Sequence, residues 1–309
     1  MSRTPAQLDC IIVGGGAAGL AAAMVLGRSR RNIAIIDANQ QSNRVAPLSH
    51  SVFTRDNTSP HDLYTIAKQQ VCTYPTVRHI EDLVTAITYL EDGSFYVTLE
   101  HGKPLEARTI LLAQGAIYSL PKIKGIDALW GTKIWHCPYC EGYEAKDTKL
   151  IAMGSANWID HMSVILPSWS RDISWSCIEG VLNDITTQRI ANAGGVIVEK
   201  VTSLEKTKNG VLVTLESNVR IEVAEGIVET KARVRDNVSK NLDCERDDSG
   251  HIICDEHGKT SVSGVYCAGD TARVERQLNV SVASGHKTAM HINAYLAEMD
   301  RKKEGSIIL

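Results

Sequence analysis

The chain has 309 residues, 43% hydrophobic and 22% charged, which suits roughly two globular domains and is too apolar for intrinsic disorder. Lys and Arg total 33 against 36 Asp and Glu, a net charge of −3, so no basic field invites nucleic acid and no polybasic anchor invites a membrane. Apolar runs stay far shorter than a bilayer span and the polar start Met1–Asp9 does not read as a signal peptide; the expectation is a soluble, cytoplasmic protein.

In chain order, Cys10–Val13, Gly14–Gly19, Leu20–Leu26 and Ile33–Ile36 predict strand, turn, helix and strand, the last ending at Asp37. Pro60 opens a helix with Leu63, Ile66, Ala67 and Val71 at helical spacing. Between Val84 and Leu112 the pattern turns to alternation, broken at Asp92-Gly93 and Gly102-Lys103-Pro104, which predicts a small antiparallel meander. After a crossing marked by Pro121 and Gly125, a second α/β stretch starts with strand Lys149–Met153, a turn and helix from Gly154, and strand Asp172–Cys177. Another meander follows at Val211–Leu215 and Arg220–Val223. Near Leu242 the chain is expected to rejoin the first domain and to finish with strand Gly264–Ala268 and helix Val280–Met299. The predicted class is α/β, one domain inserted into another.

Gly14-Gly15-Gly16-Ala17-Ala18-Gly19 is a G-x-G-x-x-G between strand and helix. Gly14 permits the tight turn, Gly16 lets a pyrophosphate approach, and Gly19 allows close helix–strand packing. The N–H groups from Ala17 and Ala18 onward offer donors and positive dipole to an anion. Asp37, closing the second strand, is placed to accept ribose hydroxyls. This motif serves FAD and NAD alike. At the far end, Gly264–Ala268 leads into Gly269-Asp270, then Arg276-Gln277 and the long helix. Asp270 can bond a ribityl or phosphate oxygen, and the helix start can stabilise charge on a reduced flavin. Gln114-Gly115, after Leu111-Leu112-Ala113, completes the constellation.

Of eight cysteines only Cys137 and Cys140 are close together, as Cys137-Pro138-Tyr139-Cys140. At a helix start two thiols so spaced can close a disulfide, and the dipole makes a thiolate available. The spacing alone also fits half a zinc site or two unrelated thiols. The other six read as core or surface thiols.

Together these residues resemble the low-molecular-weight thioredoxin reductase family of FAD-dependent dithiol–disulfide oxidoreductases, over nearly the whole chain. The resemblance implies two Rossmann-like three-layer domains, residues 1–117 with 245–309 for FAD and 118–244 as the inserted domain carrying the cysteine pair. It implies a homodimer, with Cys140 facing the flavin and Cys137 exchanging with substrate. Glu141, directly after Cys140, stands as candidate proton donor. His136, before Cys137, can polarise a thiol or be a solvated turn residue. His50 and His286 are candidates to approach the flavin or the pair, the latter also readable as a core histidine.

The departures from that family bear on electron supply. In the inserted domain Ala156 stands at the middle-glycine position, Ile159 at the small third position, and Trp158 adds bulk. Ser174–Glu179 lacks the expected arginines, and Glu225–Thr230 replaces the nicotinamide turn. The expected function is therefore an FAD-dependent thiol–disulfide oxidoreductase that does not use NADPH. Its substrate would be a thioredoxin-like protein or a small dithiol or disulfide, with oxygen or a redox protein as electron partner. The alternatives are an NADPH-dependent thioredoxin reductase with a divergent nucleotide site, and a flavin redox sensor without turnover.

Overall fold

The computed structural model describes residues 7–235, 238, 240–272 and 275–303. Two units emerge: residues 1–42, 61–117 and 233–309 form the first, residues 43–60 and 118–232 the second. The inserted part thus ends at 232 rather than 244, and residues 43–60 join it. Contacts distant in sequence decide both shifts. Arg235 donates to the Gln40 side chain and carbonyl, both at 2.7 Å, and Val238 and Leu242 sit in the first unit's core. Ser51 Oγ donates to the Tyr139 carbonyl at 3.2 Å, and Val45 lies against Gly131.

The chain begins with β1 (Leu8–Val13), α1 (Ala17–Arg28), β2 (Ile33–Asp37), α2 (Pro60–Val71), β3 (Val77–Glu81), β4 (Val84–Tyr89), β5 (Phe95–Leu99), β6 (Leu105–Leu112) and β7 (Ala116–Ser119). It continues with α3 (Ile126–Leu129), β8 (Ile134–Trp135), α4 (Pro138–Glu141), β9 (Leu150–Ser155), α5 (Ala156–Ile165), β10 (Ile173–Glu179), α6 (Asp184–Asn192) and β11 (Val196–Val198). The remainder is β12 (Val201–Lys206), β13 (Val211–Leu215), β14 (Arg220–Val223), β15 (Glu225–Val228), β16 (Lys231–Val234), β17 (Val265–Cys267) and α7 (Leu278–Lys303).

The first unit is built on a seven-stranded sheet of order β3-β2-β1-β6-β5-β4, with β17 also pairing β6. The strands β3, β2, β1, β6 and β17 run parallel, while β4 and β5 form the antiparallel meander off the start of β6. The central strands β1 and β2 and the second half of β6 are largely apolar because both faces are covered, whereas the edge strand β3 is mixed. Ile11, Val13, Ile36, Ile110 and Leu112 fill one core, and Cys10, Ile12, Ile33, Ile35 and Leu111 fill the other. Each such aliphatic side chain contributes roughly 1.5–3 kcal/mol by leaving water. Helices α1 and α7 approach closely, since a Cβ at Gly285 would strike the backbone of Ala18. Asp300, late in α7, accepts from Arg31 and Arg108, each at 2.7 Å.

The second unit holds a parallel sheet of order β11-β10-β9-β15-β8 and an antiparallel sheet β12-β13-β14. Its cores include the fully buried Trp135 and Trp175, and the Trp135 indole donates to Glu225 Oε2 at 2.9 Å. Among the described residues no helix is long and apolar enough to cross a membrane.

Candidate functional site

In the first unit the turn from β1 into α1 is shaped by glycines. Gly14 has φ +108°, and a Cβ there would run into the Ala113 carbonyl. A Cβ on Gly19 would strike the carbonyl of Gly14, which is the close helix–strand contact the motif predicts. A Cβ on Gly16 would meet nothing within 4 Å. Gly16 caps α1 without a side-chain bond and the first turn carries no acid, so the leading N–H groups of Ala17 and Ala18 face an open approach. Asp37, 6% exposed, accepts from the Asn39 N–H at 3.0 Å and Gln41 Nε2 at 3.2 Å, with His79 Nε2 at 3.7 Å. Burial alone would raise its pKa, but His79 and the N–H groups of Asn39 and Gly15 outweigh that and hold it below the usual carboxylate range. His79 comes from β3, a strand too mixed in polarity for its sequence to announce.

The other end of this unit supplies further polar groups. Gly115, at φ +69°, donates its N–H to Thr271 Oγ1 at 3.0 Å and also faces open space. Gly269 donates to Ser284 Oγ at 3.1 Å, and Ser281 Oγ donates to Asp270 at 3.0 Å. Burial pushes the Asp270 carboxyl up, against the pull of Ser281 and Arg276. Arg276 Nη2 lies 3.0 Å from His251 Nε2, and His251 Nδ1 lies 3.2 Å from Asp247 Oδ2. Arginine can only donate, so His251, 3% exposed, accepts on Nε2 and keeps its proton on the Asp247 side. The Gln277 carbonyl takes the Ser281 N–H at 2.9 Å in the first turn of α7. Gln114 Oε1 and Arg276 Nε are buried without a partner among the described residues. Leftover buried donors and acceptors, with Gly16 and Gly115 open, fit a bound FAD. His251, Ser281 and Thr271 carry no local signal that sequence alone can read.

In the second unit, β8 delivers the chain to α4 with Cys137 as N-cap and Pro138 at its start. Cys137 and Cys140 form a disulfide, Cα–Cα 5.3 Å, which settles the choice against half a zinc site. The other six cysteines are outside any disulfide, and burial pushes the Cys10 thiol up to about 12, leaving it inert. Glu141 Oε2 is buried with no partner among the described residues. Burial first, then Glu144 and Glu225, push this carboxyl up to about 8, so it is neutral and holds a proton at pH 7. His136 is half-buried against the rings of Tyr118 (4.6 Å) and Trp130 (5.4 Å), not a solvated turn residue. His50 Nδ1 lies 3.7 Å from Glu144 Oε1, in the segment that Ser51 ties to Tyr139. His286 is exposed on α7 and is not a core histidine.

The second unit repeats the strand–turn–helix plan at β9 and α5 with different furnishing. Ser155 caps the helix from its own side chain, Oγ accepting the Trp158 N–H at 3.3 Å. The Ser155 N–H is given to the Glu229 carboxylate at 2.6 Å. The Trp158 ring covers Gly154, and Ile159 is buried in the core. Beyond β10 two aliphatic side chains stand out among polar ones, Val181 89% and Ile185 72% exposed. The nearby Arg189 is held by Asp160 at 2.9 Å.

The family profile described as pyridine nucleotide-disulphide oxidoreductase matches residues 8–166 and 170–286. Thioredoxin reductase aclD of Aspergillus oryzae is 25% identical over 317 residues, spanning 96% of this chain and 98% of its own. Thioredoxin reductase sirT of Leptosphaeria maculans is 26% identical over 318 residues, spanning 95% of this chain and 95% of its own. The crystal structure of TrxB from Bacillus anthracis, a candidate thioredoxin reductase, is 30% identical with TM-score 0.90, spanning 95% of this chain and 99% of that one.

Proposed function

The chain belongs to the pyridine nucleotide-disulphide oxidoreductase family as a thioredoxin reductase-like, FAD-dependent disulfide oxidoreductase, and on that premise we propose that it works without NADPH. In this reading Cys137–Cys140 exchanges electrons with a thiol or disulfide substrate, and oxygen or a redox protein is the further electron partner. The observation that carries it is the Glu229 carboxylate on the Ser155 N–H, at the helix start where a pyrophosphate would have to bind. A fixed negative charge there repels the dinucleotide and has already taken a donor it needs. The same reading takes the protein as a cytoplasmic homodimer acting on a thioredoxin-like protein or a small dithiol or disulfide.

FAD would be held by Gly14, Gly16 and Gly19 with the N–H groups of Ala17 and Ala18, by Asp37, and by Gln114, Gly115, Gly269, Asp270, Arg276 and Gln277. When bound, it supplies the two-electron couple that restores the oxidation state of the pair. The chain's own steps are thiol–disulfide exchange. A substrate thiolate attacks Cys137, the Cys137–Cys140 bond breaks, and Cys140 leaves as a thiolate that neutral Glu141 can protonate. The second substrate thiolate then attacks the mixed disulfide, releasing oxidised substrate and leaving Cys137 reduced. Two substrate thiols lose two protons and two electrons, and the pair takes up both; run backwards, the same steps reduce a disulfide. His136, the residue before Cys137 in the chain, would steady a thiolate on that sulfur.

An anaerobic absorbance titration tests the proposal. A small dithiol should bleach the flavin spectrum and NADPH should not; rapid bleaching by NADPH overturns it. Cys140→Ser should keep its flavin and lose dithiol bleaching altogether.

A further inference from the structure

We propose that the cavity formed by residues 118–130 seats the body of the substrate, and that it selects a small dithiol or disulfide with an apolar skeleton and an anionic end. This rests on the thiol–disulfide reading above and names the class of substrate that reading leaves open. The cavity measures about 610 Å³, within the range of small-molecule sites.

Its lining is half apolar and half polar, with Leu120, Pro121, Ile123 and Ile126 on the apolar side, and it is fixed. Ile123 and Ile126 are buried in a core shared with Leu204 and Val213. The Lys124 N–H donates to the Thr202 carbonyl at 3.3 Å, and its carbonyl accepts the Leu204 N–H at 2.8 Å, so the lining segment runs as an added edge on β12. Gly125, at φ +84°, turns where a Cβ would strike the Leu204 carbonyl. A wall anchored in this way does not have to be ordered when a ligand arrives.

Two further observations connect the cavity to the chemistry. The lining rings of Tyr118 and Trp130 both lie against His136, and one Cα–Cα step of about 3.8 Å carries the chain from there to Cys137. A molecule resting on those rings therefore sits beside the residue that flanks the exchanging sulfur. At the rim, Lys122 and Lys124 are exposed, and neither makes an ion pair among the described residues. Asp127 is the one acidic lining residue, so the cavity presents net positive charge on a chain of net −3. That complements a carboxylate on the substrate.

The test uses lipoate and lipoamide, which share a cyclic disulfide and an apolar chain and differ in the terminal charge, titrated calorimetrically into the FAD-loaded protein. Lipoate should bind about tenfold more tightly than lipoamide, the scale of one charge-assisted contact. Lys122→Ala/Lys124→Ala should erase that difference, and Trp130→Ala should weaken both ligands about tenfold, the scale of a lost ring contact. Equal binding of the two ligands, or no binding, overturns the proposal, as does unchanged selectivity in the lysine variant. The lysines are exposed, so that variant decides the matter even where Trp130→Ala fails to fold; flavin content checks folding in both. Dihydrolipoate bleaching is measured alongside. Selective lipoate binding without bleaching by any dithiol leaves the cavity assignment standing and removes the redox reading. Bleaching with no selectivity does the reverse.

Discussion

The two units carry the same local plan, a buried parallel strand running through a turn into a helix, and treat the head of that helix in opposite ways. At Gly16 a Cβ would meet nothing, no side chain caps α1, and its first turn is free of acid. At α5 a serine caps the helix, an indole covers the turn glycine and a carboxylate takes an N–H. An anion site is thus made largely by what is left out, since any side chain that satisfies the helix start competes with the ligand. The carboxyls differ in the same spirit. Asp37 is buried among donors and stays ionised, whereas Glu141 is buried without them and keeps its proton.

The contrast can be broken most severely at Gly16. Gly16→Val puts a branched side chain into the open approach and should lower FAD affinity by about 100-fold, roughly 2.7 kcal/mol, read by flavin release on dilution. Glu141→Gln tests the carboxyl contrast. With the folded pKa raised to about 8, the proton-donating form is full at pH 6 and disappears as pH climbs through 8. Wild-type exchange should fall across that range, and the variant should be slower at pH 6 by up to about 100-fold and lose the inflection. Because the folded protein holds this proton more tightly than the unfolded chain, Glu141 costs stability as pH rises from 4.5 towards 8. A melting series should therefore show Glu141→Gln gaining on the wild type at alkaline pH. A third change runs the comparison in reverse. Clearing the second helix start with Glu229→Ala and Trp158→Ala should strengthen NADPH binding about tenfold in calorimetry, one charge-assisted contact's worth. If the nucleotide still binds no better, the obstruction lies elsewhere. The smallest effect is expected for Ser155→Ala, which deprives the Trp158 N–H of its acceptor. It should cost about 1 kcal/mol in denaturant titration, the value of an N-cap.

Much of this was legible in the sequence where the cause is local. Ile33–Ile36 and Leu111–Leu112 announce strands because a sheet covered on both faces needs continuous apolar residues. The glycines of the first turn are readable because each answers a backbone requirement. The substitutions Ala156 and Trp158 were visible, yet the residue that takes the Ser155 N–H was not. Glu229 lies 74 positions away and meets Ser155 through the pairing of β15 with β9. His79 beside Asp37 and His251 behind Arg276 were hidden for the same reason: parallel registers and loop closures bring them in. The short strands β3 and β11 also escaped, the first mixed in polarity and the second largely exposed. The placement of residues 43–60 depends on pairings such as Ser51 with Tyr139, which no local pattern contains.

The close fit of α1 against α7 has a consequence for biogenesis. Gly285 meets Ala18, Asp300 receives Arg31 and Arg108, and β17 zips onto β6, so the first unit is finished by a stretch of polypeptide made after the second unit. On the ribosome its early strands must wait, half-covered, while most of the second unit emerges and completes its own sheet. The segment that carries the disulfide can thus acquire its shape before the flavin cradle closes. Truncations within the last helix should leave nascent chains with an ordered middle and loose flanks, a difference that limited proteolysis of stalled chains can see.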